Sequence, residues 1–531
     1  MSDVHISYDD VIYPGYAFSF TNPAHLCAAG KLRGLNPPDP RTANILEIGC
    51  STGGNIINIA YTLPQAHCIG IDYSATQIKL GQKTLRDSGL QNITLHTLDA
   101  RDLHAAFPDK RFDYIIVHGV YSWVDTDVQQ SILAACRDML TKDGLAFISF
   151  NAYPGWKLYE ASRSFMKFRT AGINNPAQKA IAARQAVNFL YKHSFAAPLH
   201  YRQSIEKNAQ VLAAAPDTMI LHDYLEAVSK PCSFTEFCTS LKKFNLSYVD
   251  DARPDFLRPE QCSQEIAQSL SGMEYNRALQ YLDYFTGRQF HSAIICHQGQ
   301  SLLHERNPQH INTLYFSSRI RAQISPEQLI SSKASRFFFD NRSIQVDNTF
   351  VKAMLCVLAS TWPACISYAD LISRSSDMLL NFGGTAPDAG TAHDIAQNVL
   401  WTLISQNLCS YMACALPAAQ NPGEFPISSA VARAQLKQGD MICTLLHHNA
   451  KLNDSVAIWL VSHCDGTRSI DILIEMALQQ ALEGKITLHD AKDQPLSINA
   501  IQQDKNAAAE IIGEHLARLI SMGIFIASEP I

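Results

Sequence analysis

The residues best suited to chemistry lie in one short run, Glu47-Ile48-Gly49-Cys50-Ser51-Thr52-Gly53. Glycines allow positive φ and close approach of the backbone to a ligand. A dinucleotide fingerprint would read G-x-G-x-x-G, with a pyrophosphate on the following helix N-terminus. Here Ser51 replaces the second glycine, and the carboxylate of Glu47, two positions before the first, would repel a pyrophosphate. The pattern suits a ligand with a cationic amino group and no phosphates. Two more acids stand in matching places. Asp72 follows the apolar run Cys68–Ile71, where a strand-end carboxylate can accept both hydroxyls of a ribose. Asp99 follows Ile93–Leu98.

These acids need a sheet to hold them in register, and the chain supplies one. Asn44–Ile48 reads as a buried strand, and Ile56–Ala60 resumes a helix-compatible pattern after the glycine turn. Cys68–Asp72, Ile93–Leu98, Phe112–Val117 and Leu145–Phe150 read as further strands, with helices over Ala75–Ser88 and Gln129–Leu140. Five strands with helical crossovers in about 105 residues predict an α/β fold with a doubly wound, mainly parallel sheet.

Glu47 to Gly53 resembles the first motif, [DE]-x-G-x-G-x-G, of the Rossmann-like (class I) S-adenosylmethionine-dependent methyltransferases, departing from it at Ser51. Other blocks narrow the resemblance: Tyr13-Pro14-Gly15, HGVYSWV at 118–124, HDYLE at 222–226, SFTEF at 233–237 and QYLDYFTGRQF at 280–290. With them the chain is similar, over nearly its whole length, to bacterial methyltransferases that carry a methyltransferase regulatory domain. That group includes the rickettsial protein-lysine methyltransferases of outer membrane protein B.

The resemblance implies S-adenosylmethionine as cofactor, S-adenosylhomocysteine as product, and a binding set of Glu47, Gly49, Cys50, Ser51, Gly53, Asp72, Tyr73, Asp99, Ala100 and His118. In this class an acid or amide at the place of Asp99 meets the adenine amino group, and the loops after strands four and five flank the methyl group. Aromatic residues there and in the N-terminal arm, Tyr13, Tyr16, Tyr121, Trp123, Tyr153 and Trp156, would wall a desolvating tunnel for an acceptor amine. His118 is a general base by residue type, although methyl transfer to an amine can lose its proton to water. The implied activity is methylation of a protein lysine side chain. A small-molecule O- or N-methyltransferase, or a regulatory protein that binds the cofactor without catalysis, fits the same residues.

At 531 residues, several domains are expected. Residues 1–43 form an aromatic arm and cap, including Tyr8, which either packs on the domain or acts as a flap over the cofactor mouth. Residues 44–156 form the cofactor-binding core. Residues 157–300 supply helical insertions plus the last strands of the sheet, near 246–250 and 290–296. Mainly α domains follow: 301–426 has a texture compatible with a winged helix, and 427–531 forms a small α/β domain. The C-terminal half is expected to serve substrate recognition or self-association as a homodimer.

A formal charge of −6 argues against a broad nucleic-acid footprint. The start carries no signal-peptide pattern, and no apolar stretch approaches the ~20 residues of a membrane span. The 14 cysteines include no C-x-x-C and lie mostly in apolar runs, predicting reduced thiols in a cytoplasmic protein and no metal site.

Overall fold

The computed structural model describes residues 9, 11–253, 255–303, 305–340, 342–490 and 492–526, so Tyr8 lies outside the described residues. The strands of its central sheet are β1 (Asn44–Ile48), β2 (His67–Asp72), β3 (Ile93–Thr97), β4 (Phe112–Val117), β5 (Leu140–Asn151), β6 (Leu246–Asp251) and β7 (Phe290–His297). They lie in the order β3-β2-β1-β4-β5-β7-β6. The first five run parallel, and β7 is antiparallel to both β5 and β6. The strands expected near 246–250 and 290–296 therefore do complete the sheet.

Both faces of this sheet are covered, which explains why its strands read as nearly continuous apolar runs. Leu46, Ile48, Ile115 and Val117 pack into one core, while Ile45, Tyr114, Ile116 and Phe147 pack into the other. Helix α1 (Pro23–Leu32) precedes β1, and the crossover helices are α2 (Gly54–Thr62), α3 (Ala75–Ser88), α4 (Leu103–Ala106) and α5 (Thr126–Met139). Local signals set the ends of α3: the Ser74 side chain accepts a hydrogen bond from the Gln77 N–H, and Gly89, at φ 73°, closes the helix in the left-handed conformation. The strand order reverses between β1 and β4, and there the carboxyl ends of the strands open a crevice.

After β5 come three helices, α6 (Lys157–Thr170), α7 (Pro176–His193) and α8 (Leu199–Ala214). They share a small core of their own that includes Met166, Ala183, Val187, Leu212 and Tyr224. A π-helical turn over Ile220–Tyr224 returns the chain toward the sheet.

Beyond residue 300 one plan occurs twice. Helix Thr349–Thr361, strand Ile366–Ser367, helices Tyr368–Asn381 and Ala389–Ser405, and strand Ser410–Met412 follow in order, with both strands pairing to Tyr315–Ser317. Helix Ser455–His463, a bridge at Asp465, helices Ile470–Leu482 and Lys505–Ser521, and a bridge at Phe525 repeat it, paired to Ile427 and Ser428. The winged-helix texture expected for 301–426 thus has a second copy in the segment expected to be a small α/β domain.

Among the described residues no disulfide forms and the cysteines are free. No described helix is long and apolar enough to cross a membrane. Among the described residues no group of three His, Cys, Asp or Glu side chains could hold a metal ion.

Candidate active site

A cavity of about 700 Å³ opens at the switch point between β1 and β4. Gly49, at φ 76°, turns the chain out of β1 in a conformation open to glycine, and a Cβ there would run into the Val120 side chain. Ser51, where the family motif has glycine, also takes a left-handed φ of 51°. That conformation costs a non-glycine residue about 1–2 kcal/mol. Its hydroxyl offsets the cost: Oγ reaches the Gln77 Oε1 at 2.6 Å and the Tyr13 carbonyl at 3.1 Å, tying the turn to α3 and to the arm. The Ser51 N–H donates to Asp72 Oδ2 at 2.8 Å.

Glu47 is buried at the floor. Asn55 donates to its Oε1 at 2.9 Å, while Oε2 is buried with no partner among the described residues. Burial pushes its carboxyl up to about 7, against the hydrogen bonds from Asn55 and the Ile56 N–H. An unpartnered buried acceptor facing a cavity is what an ammonium group would satisfy. Asp72 is raised by burial and held in place by the N–H groups of Ser74 and Ser51. Asp99 is held below the usual carboxylate range by Arg101, which lies 2.7 Å away and also pairs with Asp127 at 3.2 Å. That pair is half open to solvent, where ion pairs are worth ~1 kcal/mol or less, so an adenine amino group could compete for Asp99.

Cys50, Tyr73, Ala100 and His118 also line the cavity. Gly53, at φ 79°, caps α2 behind the turn instead. His118 accepts or donates at Nδ1 to Ser149 Oγ at 3.0 Å, and its ring sits against Phe18, Phe20, Phe147 and Phe290. Burial in this apolar cage lowers its pKa to about 4, which leaves it neutral and a poor proton acceptor at neutral pH.

Of the expected tunnel residues, Tyr13, Tyr16 and Trp123 line the cavity, joined by Trp156, whose ring meets Trp123 edge-on at 5.8 Å. Tyr121 and Tyr153 do not. The 3-10 turn Tyr121–Trp123 sends Tyr121 into the core, where it packs edge-on against Phe237, and sends Trp123 outward. Tyr153 points to the surface, its hydroxyl 3.2 Å from Glu160 and its ring under Lys157. Tyr121→Ala should therefore act as a core truncation, costing about 3–5 kcal/mol and lowering the melting temperature. A variant that melts normally but turns over slowly would return Tyr121 to the site.

Two acids absent from the sequence expectation complete the mouth. Asp223 and Glu226, from the π-helical turn and the residues after it, line the same cavity. Burial pushes Asp223 up to about 7. Tyr13, itself raised by burial and by the Asp223 charge, packs its ring 6.0 Å from that of His222. The pair of acids three apart in HDYLE was the available signal.

The arm is a strap, held at both ends. Asp9 accepts from Ser74 Oγ at 2.5 Å and from the Thr76 N–H, and His222 Nε2 donates to the Val11 carbonyl at 2.8 Å. Tyr13 N donates to Gln77, and Gly15 crosses the glycine turn so closely that a Cβ on Gly54 would run into its carbonyl. Ala17 exchanges two hydrogen bonds with the side chain of Asn449, at 2.8 and 2.9 Å, on the hairpin Met441–Lys451. Asn449→Ala should loosen this strap, weakening cofactor affinity by about 1–3 kcal/mol and speeding hydrogen exchange over 11–18. Unchanged exchange there would mean the arm holds without the hairpin.

A methyltransferase domain model matches residues 45–144, a predicted methyltransferase regulatory domain matches 216–297, and a PKMT C-terminal winged helix domain matches 424–524. The named winged helix thus coincides with the second copy of the repeated plan. The chain is 37% identical over 238 residues to RP028, an uncharacterized protein of Rickettsia prowazekii, covering 45% of this chain and 94% of that one. It is 29% identical over 384 residues to RP789 of the same organism, covering 71% and 69%. The solved structure of PKMT2 from Rickettsia typhi in complex with AdoHcy superposes with a TM-score of 0.84 at 26% identity, over 97% of this chain and 99% of that one. Cavity, glycine turn and relatives agree on one cofactor, S-adenosylmethionine, and the chain belongs to the S-adenosylmethionine-dependent methyltransferases of the Rossmann-like class that carry a methyltransferase regulatory domain.

Proposed function

We propose that this methyltransferase acts on a protein, at lysine side chains. The observation that carries the reading is the joining, in one cavity, of the cofactor turn with two carboxylates and four large aromatic rings. Glu47 receives the amino group of the cofactor, Asp72 its ribose and Asp99 its adenine. The cofactor supplies a methyl group already activated on a sulfonium, so the chain's share is positioning and proton management.

Proton management is the harder part for a lysine. At pH 7 an amine of pKa about 10.4 is neutral in roughly one molecule in 2500, a cost of about 4.6 kcal/mol. A carboxylate whose pKa lies near neutrality, in a half-dry aromatic mouth, is matched to take that proton. Asp223 fills the role, and Glu226 holds the incoming ammonium. Tyr13, Tyr16, Trp123 and Trp156 strip water from the aliphatic stem. The likeness to PKMT2 supports the same substrate class.

Incubation of the full chain with methyl-labelled cofactor and fractionated lysate tests the reading. Label on protein, released as methyl-lysine on acid hydrolysis, is the expected result. Label confined to small molecules would replace the protein substrate with a metabolite.

A further inference from the structure

Away from the active site, three guanidinium groups converge on one carboxylate. Asp250, on β6, is fully buried. Arg258 Nε lies 3.0 Å from its Oδ1 and Arg306 Nε 2.6 Å from its Oδ2, with Arg33 as the third charge acting on it. Burial would raise the Asp250 carboxyl, yet the charges of Arg258, Arg306 and Arg33 hold it well below the usual range. All three arginines are at least nine-tenths buried.

The charges do not balance. Arg258 also donates one N–H of each Nη, to the Phe256 and Asp251 carbonyls, which leaves one N–H on each. Arg306 Nη2 and Arg33 Nη1 are buried with no partner among the described residues. The neighbouring acids are already engaged: the Asp251 carboxylate by His291 and the Ser292 N–H, and Asp283 by His291 and Arg288. Stacking of Arg33 on Tyr275 and Arg306 on Tyr411 recovers part of the cost. It does not replace a counter-ion, because buried charges are expensive unless paired.

Beside this surplus lies a cavity of about 390 Å³, lined by Arg258, Gln261, Glu305, Arg306, Trp401 and Ser405. Gln261 Nε2 donates across it to the Ser405 carbonyl at 3.1 Å, so it lies in the seam between the regulatory region and the first of the two repeated modules. Glu305 is an exposed rim residue with no ion pair among the described residues.

We propose that this cavity is an anion site for a phosphate-type dianion, inorganic phosphate or a phosphomonoester, held by Arg306 and Arg258. The buried cluster holds three guanidinium groups against one carboxylate, with Arg258 and Arg306 facing the cavity and the exposed Glu305 at its rim; a phosphate carries about two negative charges near pH 7 and a simple carboxylate one. Planar guanidinium forks also match phosphate oxygens in pairs.

The test uses the full chain, dialysed free of oxyanions, at constant ionic strength maintained with chloride. Inorganic phosphate, glycerol phosphate and acetate are titrated separately, reading melting temperature and tryptophan fluorescence. Phosphate or the phosphomonoester should raise the melting temperature saturably and change the emission, with loss of that change in Trp401→Phe. Which of the two acts at the lower concentration names the source. Arg306→Gln should weaken the response at least tenfold. If Arg306→Gln does not fold, Ser405→Asp decides: a carboxylate added to the lining should abolish the phosphate response while keeping the fold. No saturable response of the wild type, acetate acting as well as phosphate, or an undiminished response in Ser405→Asp would overturn the site.

Discussion

Below about pH 7, affinity for S-adenosylhomocysteine should fall roughly tenfold per pH unit, and Glu47→Gln should flatten that slope. Glu47 is the cause. Its carboxyl sits near 7 because burial disfavours the charged form, against an ordinary value of 4.5. Binding an ammonium requires the carboxylate, so at lower pH part of the binding energy goes into removing a proton. Above about pH 8 the ligand's own amino group begins to lose its charge, and affinity should fall again. The same shift fixes the sign for stability. Between the unfolded and folded values the empty folded chain holds a proton that the unfolded chain has released, so stability is greater at low pH. It should decline by roughly 3 kcal/mol as pH rises from about 4.5 to 7, and ligand should cancel the decline. Calorimetry in buffers of different ionisation enthalpy reads the released proton directly. Affinity that stays level across this range would remove Glu47 from the ammonium site.

Asp223→Asn should lower single-turnover methylation by about 10²–10⁴-fold while leaving cofactor affinity within a factor of a few. The residue shares the cavity with Tyr13, Trp123 and Trp156, and its carboxyl lies near 7 through burial. Measured at saturating cofactor, where Glu47 is already engaged, the wild-type rate should rise with pH through about 7 as Asp223 ionises, then level off. The asparagine variant should lack that limb, because an amide neither titrates nor accepts the proton. A merely structural role would lower the melting temperature and leave the pH profile in place. Full single-turnover activity in Asp223→Asn would assign proton removal to water or to Glu226.

What could be read from the chain divides along sequence separation. The strands from Asn44–Ile48 to Leu140–Asn151 each contain a local apolar run, the last one starting five residues before the expected Leu145 with the polar Thr141-Lys142-Asp143-Gly144, so the sheet and the carboxyl-end acids Glu47, Asp72 and Asp99 could be inferred in order. Ser51 could be noticed as a departure, but its hydroxyl ties to Tyr13 and Gln77 belong to tertiary structure. Tyr121 and Trp123 are two residues apart in a single 3-10 turn, and no periodicity decides which of them faces the core. Asp223 lies 176 positions beyond Glu47, and only the return of the chain after α8 brings them to one cavity. The C-terminal half also packs as a brace on the core: helix Ala430–Leu436 lies on α3, and the Asn58 side chain donates to the Thr444 carbonyl at 2.9 Å.

The clasp between Ala17 and Asn449 joins positions 432 residues apart. A ribosome adding about 5–20 residues per second needs roughly 20–90 s to cover that distance. Over that interval the parallel strands are already outside the exit tunnel, while the strap across the glycine turn has no hairpin to grip. A chain lacking the hairpin keeps the ties of the arm to Ser74, Gln77 and His222 and loses the Asn449 clasp. The arm therefore acquires its last tie, the Asn449 clasp, long after its ties to Ser74, Gln77 and His222 have become possible.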